Sequence, residues 1–95
     1  MAELNVVATI SAKEGTAESV GAALKTLAEA SRGDDGCIAY EVYESGSAPG
    51  TFVTVEKWES QEALDAHMKA PHVADAFATQ GDALENVAIH PLKSY

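Results

Sequence analysis

The hydrophobic period of this chain switches between two and about 3.6 in a fixed order, and that order leaves few folds open. Leu4 to Ser11 alternates, with Leu4, Val6, Ala8 and Ile10 on one face and Asn5, Val7, Thr9 and Ser11 on the other. After the turn Lys13-Glu14-Gly15, Val20, Leu24, Leu27, Ala28 and Ser31 follow helical spacing. Thr16 stands where an N-cap belongs, Glu18 meets the positive end of the helix dipole, and Gly33 suits the C′ position. Asp34-Asp35-Gly36 reads as a turn. Cys37 to Glu44 and Thr51 to Trp58 alternate again, on either side of the breaker-rich loop 45–50. In the first, Ile38, Tyr40 and Val42 share a face. In the second, Phe52, Thr54, Glu56 and Trp58 do. Ser60 caps a second helix carrying Leu64, His67 and Met68 on one stripe. Pro71 interrupts it and opens a further helix with Val73, Phe77 and Leu84 inward. Asn86 to Leu92 is the last strand.

The order β-α-β-β-α-β predicts an α+β, ferredoxin-like domain over residues 1–95: an antiparallel four-stranded sheet with helices on one face. Such a sheet should be polar on its open face. Here Val7, Val53 and Val55 oppose the helix-facing residues. A chain of 95 residues buries only about 60–65% of its unfolded surface. Both facts predict a homodimer with the two sheets packed together.

Lys plus Arg number 6 and Asp plus Glu 15, a net charge of −9. That balance argues against nucleic acid and against an anionic membrane surface, which both need surplus basic side chains. No stretch approaches a membrane span and no signal peptide is readable. Cys37 is the only cysteine, so no internal disulfide forms. The expectation is a reduced, cytoplasmic protein.

The side chains with useful chemistry gather between Glu56 and His72. Glu56 and Trp58 share a strand face, His67 lies on the stripe that must meet the sheet, and His72 opens the helix after the break. Each also has an ordinary reading: His67 as a hydrogen-bonded core histidine, His72 as a helix-start residue, Trp58 as core. Glu56 is either a cross-strand residue or the carboxylate that orients a histidine. Tyr40 and Tyr43 point to opposite faces, so only one lines a given cavity. Metal binding finds little support, because His67 and His72 are five apart across a proline rather than an i, i+4 pair. Glycine-rich phosphate loops are absent, so flavin, nicotinamide and nucleotide cofactors are not expected.

The run Glu56-Lys57-Trp58-Glu59-Ser60, with Ala63-Leu64, His67 and Pro71-His72, resembles the signature of the antibiotic biosynthesis monooxygenase family, most closely its quinol monooxygenase subgroup. Gly36-Cys37-Ile38-Ala39-Tyr40-Glu41-Val42 resembles the family's G-C-x-x-Y-x-V strand. The resemblance implies a dimeric α+β barrel and oxygenation of a quinol or small aromatic by O₂ without flavin or metal. It implies His67 or His72 as base, Glu56 as the orienting partner, and a pocket walled by Trp58 and Phe77, with Tyr40, Thr54 and Met68 beside them. Thr54 and Leu64 supply little polar chemistry on this reading, which favours a small quinol over a polyketide. Two other functions belong to the same fold. One is a non-catalytic, dimeric small-ligand or stress-associated barrel. The other is an isomerase or lyase acting on a small phosphorylated carbonyl compound. The scarcity of basic residues near Trp58 and His67 disfavours the latter. Aligned on Trp58-x-Ser60, the positions that serve haem-degrading relatives hold His67 and Phe77, which disfavours haem.

Overall fold

A computed structural model of the chain describes residues 3–95. The elements are β1 (Leu4–Ala12), α1 (Ala17–Ser31), β2 (Cys37–Glu44), β3 (Thr51–Trp58), α2 (Gln61–Met68), α3 (Pro71–Gln80), a short 3₁₀ turn (Gly81–Ala83) and β4 (Leu84–Leu92). The strands form one antiparallel sheet in the order β2-β3-β1-β4. This is the expected ferredoxin-like fold, with the second helical region split in two at Pro71.

The register places Tyr40, Glu56, Val6 and Pro91 in one row across the sheet on the helix side. The next row on that side is Val42, Thr54, Ala8 and Ile89. The core divides into two parts. Ala8, Ile10, Val20, Leu24, Leu27, Phe52 and Val73 pack where α1 and α3 meet the sheet. Val6, Ala28, Tyr40, Trp58 and Leu64 pack under α2. Each large apolar side chain so buried contributes about 1.5–3 kcal/mol.

On the other side, no element among the described residues covers the sheet. Tyr43, Val53, Thr9 and Ala88 form one row there, and Glu41, Val55, Val7 and His90 the next. Tyr43 is 57% exposed and Val55 47%.

Several local expectations change. The Ser60 hydroxyl accepts from the Ala63 N–H, as its cap position requires. Thr16 makes no side-chain cap. Its hydroxyl instead faces the carbonyls of Lys13 (2.6 Å) and Ala83 (3.1 Å), tying the start of α1 to the 3₁₀ turn. Gly33 has no left-handed backbone; α1 ends through Arg32 in right-handed geometry. A bulge between Cys37 and Ala39 shifts the start of β2 by one residue. Cys37 therefore opposes Trp58, and Ile38, expected beside Tyr40, is left 45% exposed. Leu84 belongs to β4 rather than the helix before it, because β1 continues past its own bulge to pair Ala12 with Leu84.

Candidate active site

The second positive-φ glycine of the chain determines how the site assembles. Gly36 follows the two aspartates of the α1–β2 turn at φ +83°, a conformation that only glycine adopts readily. A Cβ built there would lie 2.5 Å from the Ala63 Cβ of α2. With hydrogen in its place, α2 settles directly on the turn, and the Glu59 N–H donates to the Gly36 carbonyl at 2.8 Å. The Cys37 N–H closes the turn on the Asp34 carbonyl at 3.1 Å. Asp34 is thereby aimed at the break between α2 and α3.

That break is built from Ala70 in extended geometry and Pro71 at the first position of α3. It lets the chain turn within a few residues, so His67 and His72 reach one carboxylate oxygen from two directions. His67 Nδ1 and His72 Nε2 each lie 2.8 Å from Asp34 Oδ2. With Asp34 ionised, an oxygen shared this way can only accept. Both nitrogens then carry protons, and in the neutral tautomers this leaves Nε2 of His67 and Nδ1 of His72 as acceptors. The His67 side chain is 3% exposed. Its Nε2 has no hydrogen-bond partner among the described residues, and it is not among the atoms sealed from solvent without one.

His67 borders a cavity of about 60 Å³ between the sheet and the helices α1 and α3. Its walls are mainly aliphatic. Tyr40, Thr54 and Glu56 line it from the sheet, Met68 from α2 and Phe77 from α3. Met68, Phe77 and Ile89 all border it and are all 38–40% exposed, so they form its mouth.

Glu56 does not orient a histidine. Its Oε1 accepts from the Trp58 indole N–H at 3.0 Å and its Oε2 from the Thr54 hydroxyl at 2.6 Å. Strand alternation puts these three side chains on one face two residues apart. Thr54 thus supplies polar chemistry after all, by holding a buried carboxylate at the cavity wall. Trp58 is 0% exposed and stands outside that wall. Its ring lies behind His67 at 4.6 Å between centroids and 39° between planes, and meets Tyr40 edge-on at 6.4 Å. His72 also stands outside, bordering a separate surface groove with Asp75 and Thr79.

Burial, and then the nearby Glu56, Cys37 and Asp34, push the Tyr40 phenol well above its ordinary range. It stays neutral and can only exchange hydrogen bonds. Burial, followed by Asp34 and Glu56, also raises the Cys37 thiol, which keeps it from thiolate chemistry. Asp34 is the residue that sequence reasoning misses. Its turn-forming pattern is visible, but nothing at position 34 signals a partner 33 residues further on.

Fold and site together define a ferredoxin-like α+β domain with a histidine-bearing apolar cavity under its helices. The profile of the family described as "Antibiotic biosynthesis monooxygenase" matches residues 4–79, and the chain belongs to that family. It is 32% identical over 79 residues to "Putative monooxygenase Rv0793" of Mycobacterium tuberculosis, covering 83% of this chain and 77% of that one. It is 42% identical over 50 residues to "Probable quinol monooxygenase YgiN" of Escherichia coli, covering 52% and 47%. A Synechocystis protein of uncharacterised function is 31% identical over 83 residues; the match covers 87% of this chain but 56% of that protein. Among solved structures, PA3566 of Pseudomonas aeruginosa superposes with a TM-score of 0.93 at 28% identity, covering 100% and 96% of the two chains. Rv0793 superposes at 0.89 and 29% identity, covering 99% and 96%. No helix among the described residues is long and apolar enough to cross a membrane.

Proposed function

We propose that the protein is a homodimeric, cofactor-independent monooxygenase that oxidises a quinol-like or small aromatic substrate with O₂. One observation carries this reading. His67 stands in the wall of an apolar cavity, with Nδ1 tied to Asp34 and Nε2 left as an acceptor. A base so held is oriented and has its tautomer fixed, the arrangement general-base catalysis requires. Neither Trp58 nor His72 contacts the substrate here. Trp58 backs His67, and His72 helps hold Asp34.

The cavity of about 60 Å³ is smaller than the ~150 Å³ that accommodates benzene. Entry of a ring therefore swings the Met68 and Phe77 side chains outward at the mouth. The ring packs on the aliphatic wall. One substrate hydroxyl meets His67 Nε2. Glu56, with two of about four acceptor sites used, takes the other. His67 accepts the first proton, and Asp34 stabilises the imidazolium that forms. The resulting phenolate passes one electron to O₂. Semiquinone and superoxide then join at a ring carbon, with a proton returned from His67, to give a hydroperoxide. Loss of water breaks the O–O bond and leaves one oxygen on the ring. The sum is quinol plus O₂ to hydroxyquinone plus water. The substrate supplies all four electrons, so no external reductant enters.

The cavity lining contains no Lys or Arg among the described residues, which suits a neutral ring better than a phosphorylated carbonyl compound. The test is oxygen uptake by purified protein with chemically reduced naphthoquinols, with chelator present and no flavin added. The proposal expects saturable uptake above autoxidation. Uptake equal to autoxidation refutes it.

The dimer is proposed from the uncovered face. Tyr43, Val53, Val55 and Val7 form an apolar band there that a second sheet would bury. Light scattering at micromolar concentration should give twice the 9.9 kDa chain mass. Val55→Glu should return it to the single-chain mass. A wild-type protein already at 9.9 kDa contradicts the proposal.

A further inference from the structure

The geometry points to a divalent transition-metal site at Asp34, His67 and His72. Two imidazoles and one carboxylate converge at the α2–α3 break, each offering one ligand atom, all within 4.8 Å of one another. Both nitrogens are 2.8 Å from Asp34 Oδ2. Metal–nitrogen and metal–oxygen bonds of about 2.0–2.2 Å place neighbouring ligand atoms about 2.9–3.5 Å apart. Each nitrogen therefore needs to part from Asp34 Oδ2 by only a few tenths of an ångström, while the two nitrogens, which lie within 4.8 Å of each other, settle to the same spacing around the ion. The donor set of two histidines and one carboxylate suits zinc, iron or cobalt in the divalent state. Three protein ligands leave coordination positions for water.

The site also has an entry path. The His67 side chain is 3% exposed, Asp34 18% and His72 26%. His72 and Asp75 both line a surface groove, so the exposed edge of His72 gives an ion access to the cluster from that side. The net charge of −9 favours its approach.

Occupation has a consequence for catalysis that rests on the reading of His67 as base. An ion between the three residues replaces the proton on His67 Nδ1. A neutral imidazole bound through Nδ1 carries its proton on Nε2, so the nitrogen left for the substrate changes from acceptor to donor. Bound metal therefore switches the base off. The site is an inhibitory one, not a seat of oxygen activation.

Titration of metal-free protein with Co²⁺, followed by its visible d–d bands and by equilibrium dialysis, tests the site without reference to activity. One tightly bound cobalt per chain is expected. The bands should be lost in both Asp34→Ala and His72→Ala, with folding of each variant checked by circular dichroism. No stoichiometric binding overturns the proposal. Binding that persists in both folded variants also overturns it, because the ion is then on the acidic surface. Oxygen uptake with a reduced naphthoquinol separates the two claims. Turnover by metal-free protein that falls at least tenfold on loading with one zinc supports the switch. Equal turnover with and without zinc overturns it. If metal-free protein shows no turnover while the cobalt bands depend on Asp34 and His72, the site stands and the quinol reading fails.

Discussion

If His67 is the base proposed above, replacing it with alanine should lower kcat for quinol-dependent oxygen uptake by about 10²–10⁴-fold, the range supplied by a positioned general base. The cause is the loss of Nε2, the nitrogen of this cavity-lining histidine that has no hydrogen-bond partner among the described residues. A second variant shows that orientation matters as well as presence. Asp34→Asn leaves His67 in place but removes the anion on Nδ1, so it can favour the wrong tautomer and no longer stabilises the imidazolium. Its kcat should fall by on the order of 10²-fold. Steady-state kinetics in chelator-treated buffer read both effects. If His67→Ala raises KM and leaves kcat unchanged, the residue only shapes the cavity. Thermal melts accompany the kinetics, because a buried side chain is removed.

Trp58→Ala should produce the largest loss of stability of any single substitution considered. Trp58 is 0% exposed, packs against Tyr40 and His67, and donates to Glu56 at 3.0 Å. Truncation of such a side chain costs about 3–5 kcal/mol. In a domain of this size that lowers Tm by on the order of 20 °C. Trp58→Phe divides the effect. It keeps most of the packing but leaves Glu56 Oε1 without its donor, a loss of about 1–3 kcal/mol. Calorimetry of the two variants should therefore show the phenylalanine variant between wild type and Trp58→Ala. Equal losses would mean that the hydrogen bond to Glu56, not the packing, carries the contribution of Trp58.

The sequence announces the sheet clearly because strand parity is a local property. Val6, Ala8 and Ile10 fall inward and Val7 outward as alternation requires, and the pairing Val7 with Val55 on the open face follows from the same rule. The helix break is equally local, fixed by Pro71. What periodicity cannot carry is a bulge, since one extra residue reverses every later parity. The extra residue at the start of β2 exchanges Cys37 and Ile38 for this reason. Contacts between distant segments are also invisible to it. The residues from Glu56 to His72 include most of the site, yet the partners assigned to them there differ from those in the fold. Glu56 is taken by its own strand neighbours, two residues away on either side, before any histidine can reach it. The histidines find Asp34 instead, through a glycine turn whose role depends on Ala63 lying against it. The same turn explains why His67 and His72, unpromising by helical spacing, meet on one oxygen.

In the proposed reaction an oriented His67 in an apolar cavity suffices for oxygenation without a cofactor. Product analysis under ¹⁸O₂, with chelator-treated protein and a reduced naphthoquinol, tests it most directly. The expected result is a hydroxyquinone carrying one labelled oxygen, the second label in water, and no product above background from His67→Ala. Unlabelled quinone formed together with hydrogen peroxide, or labelled product formed equally well by His67→Ala, would contradict it.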